Sequence, residues 1–529
     1  MSYRVLATDS LAPEGVAVFA ANPEVELDLK PGTPPDELQR IIGEYDGLVI
    51  RSGTQVTAAT LEQAGKLRII GRAGIGVDNI DVAAATARGI VVMNTPGGNN
   101  VTTAEHTITM MLAVARWIPQ ADASLRAGKW ERSKFTGSEV CNKTLGVVGL
   151  GNIGTIVAER AQGLRMRVIA FDPFVTAEAA ARMKIELVEL DELYARSDFV
   201  TVHTPLTPET RGLINRDAIA KMKRGVRIVN CARGGIVDED ALAEAIVAGH
   251  VAGAAFDVYT TEPPAPDHPL LALPQTICTP HLGAATSEAQ VNVAVAIAEQ
   301  ITGFLVHGEI QAAVNMPSVS GEMLTVLKPH LLLGEKLGSL LGQLTTELPN
   351  EICIEYAGQI AELDWRPVTP AVLRGLLGQF LEASVNFVNA PAIAKQRGIQ
   401  VRETQTSGGS DFVNSIRVRL TRGETTTVVE GALFGASILR LVRINDFYME
   451  AVPEGYVLML NNRDVPGVVG RVGTLLGTHG INIAGLELGR EGVGKMAISF
   501  VHVDEPVPEP VLEELRGAPD IVSAHLLKL

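Results

Sequence analysis

A glycine-rich segment, Gly149–Gly154, carries the strongest chemical signal in this sequence. Its glycines have the spacing GxGxxG, directly after an apolar run at Leu145–Val148 and before a helical stretch at Ile156–Gly163. Such glycines allow a tight turn and let a pyrophosphate approach the backbone at the positive end of the helix. Asp172 ends the next apolar run, 21 residues after Gly151, where a carboxylate binds ribose hydroxyls and repels a 2′-phosphate. The pattern predicts a dinucleotide site that takes NAD rather than NADP.

Three further polar residues, Arg233, Glu262 and His281, each lie shortly beyond an apolar run that has the character of a β-strand. Taken alone, each has an ordinary explanation: a surface ion pair for the arginine, a cap for the glutamate and a turn for the histidine. Ligands of an open α/β sheet, however, bind at the carboxyl ends of its strands. Three such residues beyond strands of one sheet therefore favour a single catalytic crevice.

The residue types in this crevice predict oxidation of a 2-hydroxy acid. The guanidinium of Arg233 can hold a carboxylate through paired hydrogen bonds. The imidazole of His281 can take the hydroxyl proton as hydride leaves, and the carboxylate of Glu262 can orient that imidazole and raise its pKa.

The elements that must position these residues occupy the first 315 residues. Short β-branched runs alternate there with amphipathic stretches, a pattern typical of parallel sheets wrapped by helices. Two series of strands are separated by a helix predicted at Thr103–Arg116, opened by Thr102 or Thr103. The predicted fold class is therefore α/β, with two doubly wound, Rossmann-like parallel-sheet domains.

The character of the sequence changes after Met316. Residues 317–453 mix helices with strands around a glycine-rich turn at 407–410, which predicts an α+β domain. Residues 454–529 read as strand, helix, strand, strand, helix, strand, the βαββαβ order of a ferredoxin-like fold.

Composition excludes several classes of protein. The chain has 529 residues and a hydrophobic fraction of 46%, which is too apolar for an intrinsically disordered protein. Its net charge of −15 argues against nucleic-acid or polybasic membrane binding, although it says nothing about the sign of a small ligand. No uncharged apolar run approaches the roughly 18 residues of a membrane helix. Four cysteines without CxxC spacing suggest reduced thiols, no metal and a cytoplasmic location.

These motifs together resemble the D-isomer-specific 2-hydroxyacid dehydrogenases, and the resemblance covers essentially the whole chain. It rests on the Gly149–Gly154 fingerprint, the Asn230–Gly235 segment, the turn at 261–263 and the turn at 280–283. The resemblance implies that Arg233, Glu262 and His281 are the catalytic residues. It implies NAD contacts from Gly149, Gly151, Asn152, Ile153, Gly154, Asp172, His203, Thr204, Pro205, Cys231, Ala232, Arg233, Asp257, His281, Gly283 and Ala284.

Within that family the chain resembles the long-form members that oxidise D-3-phosphoglycerate to 3-phosphohydroxypyruvate, the first step of L-serine biosynthesis. The resemblance implies a substrate-binding domain at 1–97 and 284–316, an NAD-binding domain at 98–283, an intervening domain at 317–453 and an ACT domain at 454–529. The implied substrate contacts are Arg51, Ser52, Gly74, Ile75, Asn99 and, from a partner subunit, Arg132. A homodimer or homotetramer follows, with Trp130 packed on the partner.

The C-terminal domain resembles the amino-acid-sensing ACT modules of biosynthetic enzymes. L-serine is the implied effector, with Asn462, Asp464 and Asn482 as its candidate contacts. A pairing module that binds nothing remains the alternative. In the intervening domain, Arg440 and Arg443 are candidates for an anionic effector, although a role in assembly and spacing is favoured.

Two other functions stay open at the level of sequence. The first is another D-2-hydroxyacid dehydrogenase, acting on glyoxylate or lactate, because the catalytic residues do not separate these substrates. The second is an NAD-sensing, corepressor-like interaction protein, which the extra C-terminal domains disfavour.

Overall fold

A computed structural model describes residues 2–319, 321–381, 385–406, 412–435 and 437–529. The glycine-rich turn expected at 407–410 lies outside these residues. The described strands form four sheets of five, seven, six and four strands.

The first sheet is parallel throughout, with the order β2-β1-β3-β4-β5. Its strands are β1 (Tyr3–Ala7), β2 (Val25–Leu29), β3 (Gly47–Ile50), β4 (Ile69–Arg72) and β5 (Val91–Asn94). The helices between them are α1 (Pro13–Ala20), α2 (Pro35–Ile41), α3 (Ala58–Glu62) and α4 (Val82–Ala87). Every residue of β3 is buried, as expected of a strand with helices on both faces of its sheet.

Two helices, α5 (Asn100–Arg116) and α6 (Ile118–Arg126), connect the first sheet to the second. The start predicted for α5 at Thr102 or Thr103 is wrong by two or three residues, because the helix begins at Asn100. The hydroxyl of Thr103 does not cap the helix but donates to the carbonyl oxygen of Gly283 at 2.9 Å. A tertiary contact has thus replaced the local cap.

The second sheet is also parallel, with the order β12-β11-β10-β9-β6-β7-β8. Its strands are β6 (Thr144–Val148), β7 (Arg167–Phe171), β8 (Glu186–Leu187), β9 (Phe199–Val202), β10 (Val226–Asn230), β11 (Val251–Phe256) and β12 (Thr276–Cys278). Its helices are α7 (Asn152–Gly163), α8 (Ala177–Arg182), α9 (Leu190–Arg196), α10 (Arg216–Lys221) and α11 (Glu239–Val247). The strand order reverses between β6 and β9, and such a switch point is where open α/β sheets bind ligands.

Helix α12 (Ser287–Thr302) returns from the second sheet to pack on the first. Ile297 and Ile301 contact Gly71 of β4 so closely that an added β-carbon on Gly71 would lie 2.6–2.8 Å from them. Ser287–His307 has the length and hydropathy of a membrane span, which the apolar-run argument did not anticipate. Its apolar face is nevertheless buried in the core of the first sheet, as expected of an internal helix.

The third sheet is mixed, with the order β14-β13-β15-β16-β17-β18. Its strands are β13 (Glu351–Gly358), β14 (Gln400–Thr406), β15 (Asn414–Arg422), β16 (Thr425–Phe434), β17 (Ile438–Ile444) and β18 (Phe447–Ala451), and its helices are α13 (Gly321–Leu344), α14 (Val368–Leu377) and α15 (Ala390–Gln396). Helices α13 and α14 approach closely because glycines lie between them: a β-carbon on Gly338 would be 2.0 Å from the carbonyl oxygen of Val372.

The last sheet is antiparallel, with the order β20-β21-β19-β22. Its elements are β19 (Tyr456–Arg463), α16 (Val468–Thr478), β20 (Ile483–Arg490), β21 (Met496–Val503), α17 (Glu509–Arg516) and β22 (Ile521–Lys528). The predicted α/β class and the ferredoxin-like order of this last unit are confirmed.

Candidate active site

The glycine loop between β6 and α7 is shaped by two close backbone contacts. A β-carbon on Gly149, whose φ is +94°, would lie 2.7 Å from the carbonyl oxygen of His203. One on Gly154 would lie 2.0 Å from the carbonyl oxygen of Gly149. Gly151 caps α7, and an added β-carbon there would have no heavy atom within 4 Å among the described residues. The middle glycine therefore leaves open space in front of the helix N-terminus, where a pyrophosphate fits.

Asp172 ties this loop to the end of β7. One carboxylate oxygen accepts the amide of Leu150 at 2.7 Å, and the other accepts the amide of Phe174 at 2.8 Å. Each oxygen retains a second lone pair, so the carboxylate can still accept hydrogen bonds from ribose hydroxyls.

A cleft of about 300 Å³ runs between the carboxyl ends of the first two sheets. Both predicted substrate-binding residues and predicted cofactor-binding residues line it. The predicted residues on its wall are Ile75, Asn99, Asn152, Ile153, His203, Thr204, Pro205, Cys231, Ala232, Arg233, His281, Gly283 and Ala284. The structure thus brings a substrate residue such as Asn99 and a cofactor residue such as Asn152 into one crevice.

Several buried polar atoms around this cleft have no hydrogen-bond partner within the described part of the chain. They are Nε of Arg72, Oδ1 of Asn99, Oδ1 of Asn100, Nδ1 of His203 and Oγ1 of Thr204. An unpartnered buried polar atom is costly, by about 1–3 kcal/mol. Their concentration around one cleft, with the open space at Gly151, fits a polar ligand such as a dinucleotide and its substrate.

His281 and Glu262 form a direct pair at the mouth of this cleft. Nδ1 of His281 donates to Oε2 of Glu262 at 2.7 Å, and the other carboxylate oxygen accepts the amide of Tyr259 at 3.1 Å. Burial opposes ionisation, but the hydrogen bond and charge of His281, together with the amide of Tyr259, outweigh it and hold the pKa of Glu262 below its usual value. An ionised Glu262 fixes the imidazole so that Nε2 is the nitrogen that can accept a proton.

Asp257 lies behind the turn that carries His281 rather than on the wall of the cleft. Its buried carboxylate accepts the amides of Leu282 and Gly283, the hydroxyl of Thr279 and Nε2 of His106, at 2.6–3.2 Å. Burial opposes ionisation, yet these donors together lower the pKa of Asp257. Asp257, predicted to contact NAD, therefore lies behind the residues that line the cleft, where it holds the turn that carries His281.

Arg233 projects from the end of β10 towards the first sheet. Its Nε donates to Oδ2 of Asp78 at 2.9 Å, and Nη1 donates to the carbonyl oxygen of Ala232 at 2.7 Å. A β-carbon on Gly76 would lie 2.1 Å from Nη2, so glycine at this position lets the guanidinium enter the cleft. Arg233 is therefore held at the junction of the two sheets, with its remaining N–H groups available to a carboxylate.

Sequence reasoning missed Arg72, the last residue of β4. Burial and the neighbouring charge of Arg233 lower the pKa of Arg72 to about 10, with a further contribution from Arg51. Gly74, at φ +147°, makes room for it, since a β-carbon there would lie 1.6 Å from Nη1 of Arg72. The signal was present, because Arg72, like Arg233, lies shortly beyond a predicted strand.

Three other predicted substrate residues, Arg51, Ser52 and Arg132, do not line the cleft. The amide of Arg51 donates to Oδ2 of Asp9 at 2.7 Å, and its Nη1 contacts the carbonyl oxygen of Ser10 at 3.4 Å, outside the wall of the cleft. Ser52 is exposed beside it. Arg132 is exposed in a short 3-10 helix and does not line the cleft of its own chain.

Two predicted cofactor residues are fixed in their neutral forms. Burial lowers the pKa of His203 to about 4, so its imidazole is uncharged at neutral pH. Burial and the nearby carboxylate of Asp257 raise the pKa of the Cys231 thiol. Cys231 therefore stays protonated, which argues for a contact role rather than a nucleophilic one.

A second histidine–glutamate pair, Glu239 with His268, supports the loop that carries Glu262, and sequence reasoning did not find it. Oε2 of Glu239 accepts from Nε2 of His268 at 2.8 Å, and Oε1 accepts the amide and hydroxyl of Thr260 at 2.8 and 3.0 Å. Both side chains are nearly buried. The pair therefore fixes the backbone two residues before Glu262.

In the last sheet, the candidate effector residues are occupied by contacts within the chain. The side chain of Asn462 is buried, accepts from the Ser499 hydroxyl at 2.9 Å and donates to the carbonyl oxygen of Arg463. Asp464 contacts Nη1 of Arg490 at 3.4 Å, and Asn482 donates to Asp504 at 2.8 Å. In the third sheet, Arg440 and Arg443 both lie on β17, near Glu450 and Asp446.

Three protein families match successive parts of the chain. Residues 108–283 match the NAD binding domain of the D-isomer specific 2-hydroxyacid dehydrogenases, and residues 326–445 match the D-3-phosphoglycerate dehydrogenase intervening domain. Residues 456–520 match the ACT domain.

Relatives align over almost the full length. D-3-phosphoglycerate dehydrogenases of Archaeoglobus fulgidus, Synechocystis sp. and Bacillus subtilis are 43%, 42% and 41% identical to the chain. These alignments cover 99–100% of this chain and 95–100% of the relatives.

Solved structures match about three-fifths of the chain. The TT0316 protein of Thermus thermophilus is 35% identical, with a TM-score of 0.55 over 59% of this chain and 99% of its own. An NAD-dependent formate dehydrogenase of Staphylococcus aureus, solved with NAD, is 29% identical, with a TM-score of 0.54 over 60% of this chain and 99% of its own.

The two parallel sheets, the glycine loop and the Arg–Glu–His set define an NAD-dependent oxidoreductase of the D-isomer-specific 2-hydroxyacid dehydrogenase class. NAD is its cofactor. The full-length relatives identify one family within this class. The chain belongs to the D-3-phosphoglycerate dehydrogenase family.

Replacing Gly151 by Ala should weaken NAD binding without weakening the fold. The added methyl group meets open space in the protein but occupies the place where the pyrophosphate approaches the helix. We expect at least about a tenfold rise in Kd for NADH, measured by fluorescence titration, since even a small misfit costs on the order of 1–3 kcal/mol.

The matched control is Gly163→Ala near the end of the same helix, where the new methyl group also meets no neighbour among the described residues. It should leave the Kd unchanged. Equal Kd values for both variants would contradict the placement of the pyrophosphate at Gly151.

Proposed function

We propose that the chain oxidises D-3-phosphoglycerate to 3-phosphohydroxypyruvate with NAD, as the first step of L-serine biosynthesis. The observation that carries this proposal is the cationic cluster of Arg51, Arg72 and Arg233 around a cleft that also contains His281. A substrate with a carboxylate at one end and a phosphate at the other suits several guanidinium groups. Full-length relatives named for this activity support the same choice.

In this mechanism the substrate hydroxyl lies against Nε2 of His281, which takes its proton. Glu262 holds the opposite ring nitrogen at 2.7 Å and stabilises the imidazolium that forms. Arg233 binds the carboxylate next to the reacting carbon, and Arg51 binds the phosphate, with Arg72 adding positive charge between them. NAD, when bound, supplies the hydride acceptor. The unpartnered atoms of Asn99 and Thr204 become partnered by the ligands.

The chain comprises four domains, two of which carry the dehydrogenase reaction. Residues 1–97 and 284–316 bind substrate, a division supported by the packing of α12 on the first sheet. Residues 98–283 bind NAD, 317–453 form the intervening domain and 454–529 form the ACT domain. The enzyme is cytoplasmic, which four free cysteines support.

The enzyme is a homodimer or a larger homo-oligomer. Trp130 is 83% exposed in the single chain, an unusual state for a tryptophan that supports its burial against a second copy. Arg132, two residues on, then reaches the partner's cleft and completes the phosphate site.

L-serine regulates the enzyme through the last sheet, near Asn462, Asp464 and Asn482. The ACT match supports an amino-acid ligand there. Asp464 takes the ammonium group, since its exposed ion pair with Arg490 is long, at 3.4 Å, and is readily exchanged.

Replacing His281 by Ala should lower kcat by on the order of 10²–10⁴, because the general base is lost. The Kd for NADH should change little, since the dinucleotide is held mainly by the glycine loop. Stopped-flow and steady-state assays of NADH formation measure both values. His307→Ala, at an exposed position without a side-chain partner among the described residues, is the control. Turnover as fast in H281A as in H307A would refute the role of His281.

Replacing Arg51 by Gln should impair phosphorylated substrates selectively. Loss of a charge-assisted hydrogen bond is worth about 1.5–3 kcal/mol, so KM for D-3-phosphoglycerate should rise by about tenfold or more. A panel of D-glycerate, D-lactate and glycolate, assayed beside it, should show no comparable rise. Arg40→Gln, on the exposed face of α2, is the control. A wild-type preference for an unphosphorylated acid would instead favour the glyoxylate or lactate type of enzyme.

Serine titration of D-3-phosphoglycerate oxidation tests the regulatory proposal. Inhibition should appear at or below millimolar serine, and Asp464→Asn should raise the half-inhibitory concentration by about tenfold, because it removes the partner of the ammonium group. Glu491→Gln, at an exposed position in the turn after β20, should leave it unchanged. Activity that millimolar serine does not alter would leave the last sheet with an assembly role only.

A further inference from the structure

A second cavity, called the junction cavity below, lies where the first sheet meets the third. Its volume of about 540 Å³ is within the range of small-molecule sites, about 300–1,000 Å³. Phe304 and Val91 line it from the side of the first sheet, and Leu324, Leu331 and Phe387 line it from the other side. It shares no lining residue with the active-site cleft.

The two walls of the junction cavity are fixed to each other by direct contacts. Val388, from the chain that leads into α15, is buried in the core of the first sheet. Nδ2 of Asn386 donates to the carbonyl oxygen of Gly89 at 2.9 Å. Glycine is required at this contact, since an added β-carbon on Gly89 would lie 1.9 Å from that amide. The cavity therefore has packed walls.

The lining is apolar inside and cationic at the exposed rim. Lys66, Arg68 and Arg88 are exposed there, and the described lining includes no Asp or Glu. This is unusual in a chain whose net charge is −15. The charge of Lys66 is already balanced by Asp46, whose Oδ2 lies 2.9 Å from Nζ. Arg68 and Arg88 are therefore the cations that remain.

Arg68 is held in place without using its hydrogen-bond donors. Its guanidinium lies over the rings of Tyr3 and Phe304, at 5.5 and 5.4 Å from their centroids. The guanidinium makes no hydrogen bond or ion pair with any residue that the structure describes. Arg88 uses only Nε as a donor, to the carbonyl oxygen of Leu61 at 2.7 Å. Two positioned guanidinium groups thus offer free N–H donors at the mouth of an apolar cavity, which is the arrangement that an anion requires.

We propose that the junction cavity is a binding site for an amphipathic organic anion, a carboxylate carried on an apolar body. The carboxylate is bound by Arg68 and Arg88. The apolar body enters between Phe304 on one wall and Leu324 and Leu331 on the other. Such a ligand contacts both the first and the third sheet.

Isothermal titration calorimetry of the full chain tests the proposal with three probes: sodium decanoate, 1-decanol and sodium acetate. Decanoate should bind about one equivalent, with the same Kd in the presence and absence of saturating NAD. Decanol lacks the charge and acetate lacks the apolar body, so each should bind at least about tenfold more weakly. Because heat of binding rather than turnover is measured, the result does not depend on the proposed dehydrogenase activity.

Two variants locate the site. Arg68→Gln should raise the Kd for decanoate by about tenfold, and Leu324→Trp, which fills the cavity, should abolish binding. Arg182→Gln, at an exposed position on α8, is the control and should bind as the wild type does. Should Arg68→Gln fail to fold, as judged by circular dichroism, Arg88→Gln takes its place. Equal affinity for decanol and decanoate, or unchanged binding in the arginine and tryptophan variants, would overturn the proposal.

Discussion

The buried carboxylate of Asp257 is the interaction on which the active site depends. It receives donors from the catalytic turn and from His106 of α5, the helix that connects the first two sheets. Removing one partner of a buried charge costs about 3–5 kcal/mol, so the turn and the helix are held to one geometry. His281 is therefore presented to the cleft by a rigid turn, although it lies on a loop and has a positive φ.

Electrostatics in this enzyme are local. The net charge is −15, yet the proposed ligands are anionic. Beyond about 8–10 Å, salt screens the overall field, so binding is decided by groups at short range. The positive charges of Arg233 and Arg51 lower the pKa of Arg72. The carboxylates of Asp78 and Asp9, near the same arginines, act in the opposite direction. An anionic substrate bound among these arginines, as proposed above, relieves the remaining repulsion.

Glycine spacing explains much of how the layers fit together. Gly154 in the dinucleotide loop, Gly71 beneath α12 and Gly338 between α13 and α14 all stand where a β-carbon would meet a neighbour at less than 3 Å. These contacts lie in different sheets, but the physical cause is the same. Small residues let helices and turns approach backbones closely enough to exclude cavities.

Local sequence patterns sufficed for six of the seven strands of the second sheet, all except the two-residue β8, and for the glycine loop, Asp172 and the order of elements in the last unit. These features depend on period, turn chemistry and neighbours along the chain. They did not suffice for the start of α5, where Thr103 bonds to Gly283, a contact distant in sequence.

The sequence alone determined which residue types stand beyond which strands, and hence the class of chemistry. Only the tertiary structure decided which of these side chains face the cleft. It turned Asp257 inward, paired Glu262 with His281, and brought Arg72 beside Arg233 across a separation of 161 positions. The physical reason is that the burial and the hydrogen-bond partners of a side chain depend on how the sheets pack together. The position of a residue along the chain does not specify that packing.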